Sequence, residues 1–250
     1  MAVPPSNSLL LSLVAGTAAA AATVAGGWLV ARREWSRRYL CYLLALGAGF
    51  MLAAVFLEVI PEAYELSGSR ALFYVLLGYL VVHLFVHTLS QHVHFGEETH
   101  VDEVRTGHTA EVALAGLLLH ALFDGVMVGA GFLVSEYLGS VLLAAVVLHK
   151  LPEGFTAASL MLARGRTRGA AFAAACALGG ATLAGSLLTA FLAGQAGIVL
   201  PFAAGLTLYV AASDLVPEVN QERNLGVAVT VFLGAAALAV AHFALHPGHG

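Results

Sequence analysis

Residues 120–154, HALFDGVMVGAGFLVSEYLGSVLLAAVVLHKLPEG, contain the clearest indication of the fold class. Their two long apolar runs carry only four charged side chains, which are Asp124, Glu136, Lys150 and Glu153. The whole chain of 250 residues has a similarly apolar composition, with 60% hydrophobic and 10% charged residues and a mean hydropathy of +0.88. A soluble protein carries roughly 25% charged residues, because its surface must be solvated. The sequence therefore predicts a membrane protein.

Charged and Gly/Pro-rich breaks on both sides of these residues divide the chain into eight apolar segments. They lie near residues 9–30, 39–63, 71–91, 110–133, 138–163, 169–193, 198–217 and 225–245. Each is long enough to cross a hydrocarbon core of about 30 Å as a helix, and about twice too long for a barrel strand. We expect an all-α polytopic protein with eight transmembrane helices in a single domain, residues 1–250.

The basic residues predict how the chain is oriented. With the N-terminus outside, nine arginines fall in inside loops, only Arg70 falls in an outside loop, and Lys150 lies within a span. Cytoplasmic loops are enriched in Lys and Arg, so this threading is favoured. Both termini are then outside, and the His-rich loop 92–109 is cytosolic. The compact chain and its short loops favour a bacterial plasma (inner) membrane.

Two short segments share one pattern of polar residues. Helix two ends with EVIPE, residues 58–62, and helix seven ends with DLVPE, residues 214–218. The threading places the first segment near the outer surface and the second near the inner surface. Similar segments of opposite orientation are typical of inverted repeats. We expect helices 1–3 and 6–8 to form such a repeat, although a match of five residues also arises by chance.

Ionisable side chains at membrane depth cluster on helices four and five. His120 and Asp124 are four residues apart, as are His149 and Glu153, so each pair shares one helix face. His120 lies ten residues into its span and His149 eleven residues into the next. At 1.5 Å per residue both are about 15 Å deep, near the bilayer midplane. Charged groups there cost about 2.5–3.5 kcal/mol each by insertion scales and usually have a function.

Two imidazoles and two carboxylates form a suitable ligand set for a borderline divalent cation. Zn²⁺ is the first candidate, and Fe²⁺, Mn²⁺ and Cd²⁺ are the others. Interhelical hydrogen bonding would be the purely structural explanation, which we favour for one such pair but not for two at matched depth. Cys41 and Cys176 are isolated, so no thiolate cluster is expected. No organic cofactor is predicted.

Four segments of the chain resemble one family of membrane transporters. Residues 120–125 and 149–154 resemble the signature helices four and five of the ZIP (Zrt/Irt-like) divalent metal-ion transporters. Residues 58–63 resemble the Pro-Glu-Ala ending of that family's helix two, and residues 208–218 resemble its helix seven. The resemblance implies eight helices, outside termini and transport into the cytosol by alternating access, with helices four and five sliding as a unit.

Two departures from the family pattern concern the number of metals. Members with a two-metal site usually have Asn or another ligand where this chain has Ala121, and an acidic residue where it has Lys150. We infer a single-metal site in which the Lys150 ammonium substitutes for a second cation, unless it snorkels to water. The resemblance also makes Met51 of helix two a candidate sulfur ligand, and ordinary packing is the equal alternative.

Further polar residues predict a route to and from the site. Glu58 and Glu65 lie on the stripe of helix two that contains Met51, and Glu62 is a second acid at this entrance. The exit candidates are His83 and His87 on helix three with Asp214 and Glu218 on helix seven. Solvated acids and interhelical hydrogen bonds are the structural alternatives. The loop 92–109 could buffer cations weakly or simply be solvated.

Zn²⁺ transport across the lipid bilayer is therefore the predicted function. The alternative is an intramembrane zinc-dependent hydrolase with Glu153 as general base, but HExxH is absent and polar stripes lead to both surfaces. A channel with the same metal site is a third hypothesis. The absence of a P-loop argues against ATP drive. The net charge of −4 argues against nucleic-acid binding. Glycine-rich faces permit a homodimer without requiring one.

Overall fold

The computed structural model describes residues 7–32, 37–89, 109–221 and 224–245, and these residues form helices and no β-strand. We label the helices α1 to α8. They are α1 (Ser8–Arg32), α2 (Arg37–Ala54, continued by a π-helical turn Val55–Val59 and by Ile60–Ser67), α3 (Arg70–Leu89), α4 (Thr109–Val134), α5 (Glu136–Ala163), α6 (Arg168–Leu188, followed by a 3-10 segment Thr189–Gln195), α7 (Ala196–Tyr209, continued by a π-helical turn Val210–Leu215 and by Val216–Gln221) and α8 (Leu225–Leu245).

Seven of these helices are long and apolar enough to cross a membrane. In α3 the apolar part among the described residues, Arg70–Phe85, is shorter. For the described residues the prediction of an all-helical integral membrane protein is confirmed, and the count of eight crossings stays a prediction. Helix α6 ends at Leu188, before the predicted end near 193, because the Thr189 hydroxyl donates to the Ser186 carbonyl at 2.6 Å and the backbone tightens.

The helices pack as two groups of four. Helices α1, α4, α5 and α6 form what we call the site group, in which α1 packs on α5 and α6, and α4 packs on α5 and α6. Helices α2, α3, α7 and α8 form the flanking group, in which α2 packs on α8 and α3 packs on α7. The two groups meet where α2 contacts α5 and where α4 contacts α7.

Reciprocal glycine pairs set the closest helix crossings in both groups. A Cβ added at Gly26 of α1 would collide with the Leu151 carbonyl of α5, and one at Gly154 would collide with the Thr23 carbonyl. Three more crossings are built in the same way: Gly125 with Gly185 (α4 and α6), Gly49 with Gly234 (α2 and α8), and Gly78 with Gly205 (α3 and α7). Backbones can approach this closely only where no side chain intervenes.

A tight turn makes α4 and α5 antiparallel neighbours. Helix α5 begins after Ser135, whose hydroxyl accepts a hydrogen bond from the Leu138 amide at 3.1 Å and so caps the new helix. Gly131 and Gly139 allow the two helices to touch beside this turn. Helix α5 therefore runs antiparallel to α4, and the middle of α5 lies beside the middle of α4.

Candidate metal centre

The structure brings together the four polar residues predicted at the midplane. One ligand atom from each of His120, Asp124, His149 and Glu153 lies within 4.8 Å of the other three. The α4 pair comes from adjacent turns of one helix, and the α5 pair from adjacent turns of the next. These atoms could hold a metal ion between α4 and α5.

Asp124 is the hub of this cluster. Its Oδ2 atom lies 3.0 Å from His149 Nε2, 3.2 Å from His120 Nε2 and 2.8 Å from Lys150 Nζ. His120 Nε2 is 4.0 Å from Glu153 Oε2. With metal–ligand bonds of about 2.0–2.1 Å, the edge of a ligand tetrahedron is about 3.4 Å, so the observed distances bracket the value that Zn²⁺ requires.

The ring of His149 is oriented by its own helix. Its Nδ1 atom lies 3.1 Å from the Ala145 carbonyl, an oxygen that can only accept. When Nδ1 carries the hydrogen and donates it, the neutral ring turns the Nε2 lone pair towards Asp124. A lone pair and a carboxylate oxygen repel each other unless a positive charge lies between or beside them. The Lys150 ammonium, 2.8 Å from the same Asp124 oxygen, supplies such a charge, and a divalent cation bound between the two atoms would add a second one.

Glu153 and Lys150 complete the cluster. The Lys150 ammonium is fully buried and donates to the carboxylates of both Asp124 and Glu153, so it does not reach water. Glu153 Oε1 is buried and has no hydrogen-bond partner among the described residues. A buried carboxylate oxygen without a partner is costly, and a metal ion would satisfy it.

His120 faces a cavity that leads away from the cluster. The cavity is about 70 Å³ in volume and lies between α3, α4 and α7. His120 and Asp124 line it on the side of the cluster, and Asp214 lines it on the side of α7. The other three cluster side chains are nearly inaccessible, whereas His120 is 16% exposed. In this conformation the candidate centre is reached past His120.

The entrance candidates on α2 differ in environment. Glu58 is buried in the π-helical turn, Glu62 is half-buried and Glu65 is exposed. Met51 is fully buried within the largest apolar cluster. The predicted stripe thus runs from an exposed acid to a buried sulfur.

The exit candidates are described only in part. On α3 and α7, the His83 ring lies 6.2 Å from the Tyr209 ring, and the Tyr79 hydroxyl is 2.9 Å from the Ser213 hydroxyl. Asp214 is half-buried on the wall of the cavity. The side chains of His87 and Glu218, and the loop at residues 92–108, lie outside the described residues.

The structure adds two functional candidates, Tyr137 and His242, to those predicted from the sequence. Glu58 Oε1 accepts a hydrogen bond from the Tyr137 hydroxyl of α5 at 2.7 Å and lies 2.8 Å from His242 Nδ1 of α8. His242 lies inside the last apolar segment, and a polar residue at such a position indicates a function. No pattern in the sequence indicated that Tyr137 would reach Glu58, because the contact joins separate helices.

The fold and the cluster define a helical membrane protein with a buried His/carboxylate centre. The model of the ZIP zinc transporter family matches residues 96–242, more than half of the chain, and the chain belongs to this family. Zinc transporter ZIP13 from Pongo abelii is 28% identical over 210 residues, which are 77% of this chain and 62% of the relative. Zinc transporter zipt-7.2 from Caenorhabditis elegans is 26% identical over 131 residues, which are 49% of this chain and 28% of the relative. The chain thus spans less than two thirds of these relatives.

Proposed function

We propose that this protein carries a divalent transition-metal cation, Zn²⁺ first, across the membrane into the cytosol. The observation that carries the proposal is the convergence of His120, Asp124, His149 and Glu153 on one point between α4 and α5. Membership of a zinc transporter family favours transport over the alternative function, an intramembrane zinc-dependent hydrolase. Fe²⁺, Mn²⁺ and Cd²⁺ suit the same nitrogen and oxygen donors and are the other candidate substrates.

The centre holds one metal in this proposal. Two ionised carboxylates and one ammonium leave it with a net charge of −1, and a divalent cation brings the charge to +1. The Lys150 ammonium donates to both carboxylates, so it occupies the position where a second metal ion would bridge them. The same ammonium stabilises the empty centre, because without it two buried carboxylates would face each other. Met51 remains a proposed sulfur ligand from α2.

The arrangement of helices supports an inverted repeat of helices 1–3 and 6–8. In such a repeat α1, α2 and α3 are equivalent to α6, α7 and α8, and α4 is equivalent to α5. The α2–α8 crossing then corresponds to the α7–α3 crossing, and the α1–α5 crossing corresponds to the α6–α4 crossing. All four have reciprocal glycines. A π-helical turn contains Glu58 in α2 and Asp214 in α7, and each acid lies nine residues after the crossing glycine, Gly49 or Gly205.

Alternating access follows from movement between the two groups. The site group has the ligands on α4 and α5, and it meets the flanking group through α2 and α7. We propose that sliding of the site group exposes the centre to each side in turn. Ions enter past Glu65, Glu62 and Glu58. They leave through the cavity towards Asp214, followed by a relay of the remaining exit candidates, His83, His87 and Glu218.

The predicted membrane orientation gives this route its direction. With both termini outside and eight crossings, the ends of α2 and α8 and the start of α5 face outwards. The cavity beside Asp214 then faces the cytosol, where the His-rich loop 92–109 would buffer released ions. The bacterial plasma membrane and the homodimer are further parts of the proposal.

Uptake into proteoliposomes tests the function directly. The intact protein should show saturable Zn²⁺ uptake, and His120→Ala and Glu153→Gln should each reduce it at least tenfold, because each removes a ligand from a four-ligand centre. Glu136→Gln is the matched control, since Glu136 is an exposed acid on the same helix as Glu153. Uptake that is linear in metal concentration would indicate a channel. Equal uptake by the ligand variants would overturn the proposal.

A further inference from the structure

A second set of side chains that can bind a metal ion lies where α2, α5 and α8 meet. Glu58 Oε1 is 2.7 Å from the Tyr137 hydroxyl and 2.8 Å from His242 Nδ1, so one carboxylate oxygen holds both contacts. The Glu58 side chain is 7% exposed and the His242 side chain 18% exposed. A carboxylate and an imidazole are ligands that borderline divalent cations prefer.

We propose that Glu58 and His242 form an outer cation-capture site, which the Tyr137 hydroxyl occupies in this conformation. The proposal rests on the proposed transport function and adds a site that precedes the central one. Met51 lies seven residues before Glu58 on α2, about two helical turns deeper. A cation held at Glu58 would thus lie between the exposed acids and the candidate centre.

The location of Tyr137 explains why the site is closed here. Tyr137 lies in the first turn of α5, in the site group, whereas Glu58 and His242 belong to α2 and α8 of the flanking group. The Tyr137 hydrogen bond therefore joins the two groups, and movement of α5 relative to α2 must break it. Glu58 then loses one of its donors while it is still largely buried, and a cation can replace that donor.

The distances require only a small opening. Two ligands of a tetrahedral Zn²⁺ ion are about 3.4 Å apart when each bond is about 2.0–2.1 Å. The Glu58 and His242 atoms are now 2.8 Å apart and would separate by about half an ångström. The Nδ1 hydrogen that bridges them leaves as a proton, or Nδ1 is freed when the ring takes its other tautomer. The π-helical turn at Glu58 supplies local backbone freedom for this change.

Equilibrium binding of Cd²⁺ alone to purified protein in nanodiscs tests the outer site. The background chain carries His120→Ala and Glu153→Gln, which disable the central site, and it should retain one weaker Cd²⁺ site. Glu58→Gln should abolish this residual site, and His242→Gln should weaken it at least tenfold. Tyr137→Phe should tighten it about three- to tenfold, because the competing donor is gone.

Two control variants make the assay specific. Glu136→Gln removes an exposed acid beside Tyr137, and Tyr64→Phe removes an exposed hydroxyl on the same end of α2. Both should leave residual binding unchanged. With His120 and Glu153 restored, each outer variant should still bind central Cd²⁺, which shows that it folds.

Each outcome bears on one proposal. Residual binding that survives Glu58→Gln, or that Glu136→Gln weakens equally, overturns the outer site. Weaker binding in Tyr137→Phe overturns the part assigned to Tyr137. An intact protein that binds Cd²⁺ at Glu58 but shows no uptake overturns the transport function instead.

Discussion

At the scale of single residues, the spacing of polar side chains explains the composition of the candidate centre. Residues four apart share a helix face, and this placed His120 with Asp124 and His149 with Glu153. The structure adds the contact between the two pairs, in which Asp124 Oδ2 is 3.0 Å from His149 Nε2. Their assignment as metal ligands stays a prediction.

Lys150 is the residue whose substitution is most informative. If its ammonium substitutes for a second cation, Lys150→Asp should raise the bound metal from one ion to two per chain, because a new carboxylate would lie beside Asp124 and Glu153. Metal content of the purified protein after equilibration with Zn²⁺ measures this. Lys150→Met is the control and should keep one ion. A single ion in Lys150→Asp would contradict the substitution hypothesis.

Asp214 tests the exit route. It lines the cavity opposite His120 and Asp124, so Asp214→Asn should slow metal release and lower maximal uptake about threefold or more. Binding at the central site should be unchanged, because Asp214 is outside the four-residue cluster. Initial uptake rates and equilibrium binding, measured on the same preparation, separate the two effects. A matching loss of affinity would show that Asp214 acts at the centre itself.

At the scale of helices, small residues decide how closely the elements approach. Gly125→Ala should destabilise the protein by about 1–3 kcal/mol, because the new Cβ would collide with the Thr182 carbonyl of α6. Gly180→Ala, also in a membrane helix, meets nothing within 4 Å and should not destabilise. Thermal unfolding in detergent compares the two. Equal stability of both variants would show that α4 and α6 separate at little cost.

At the scale of the whole molecule, the boundary between the two groups controls the proposed movement. Gly47 of α2 faces His149 across this boundary, and a Cβ there would lie 3.4 Å from the His149 Cβ. Gly47→Ala fits as an ordinary contact, whereas the larger side chain in Gly47→Leu would overpack the contact with the α5 backbone and should block sliding of α2 past α5. We expect Leu to reduce uptake at least fivefold while metal still binds. Normal uptake in Gly47→Leu would argue against sliding at this boundary.

The class of fold and the polar residues within the apolar segments could both be predicted from the sequence. Long apolar runs leave few choices in a bilayer, because every backbone polar group must be paired within a helix or a closed barrel. Helical spacing likewise decides which side chains share a face, and this is a local property. The match between residues 58–62 and 214–218 also came from the sequence.

Which helix faces meet could not be predicted from the sequence and is seen only in the folded structure. The sequence left Lys150 free to snorkel or to stay inside, and the structure buries it against two carboxylates. It assigned nothing to Tyr137 or His242, because their contacts with Glu58 span 79 and 184 residues. Such contacts depend on how whole helices pack, and the glycine crossings that set this packing look like ordinary small residues in a one-dimensional sequence.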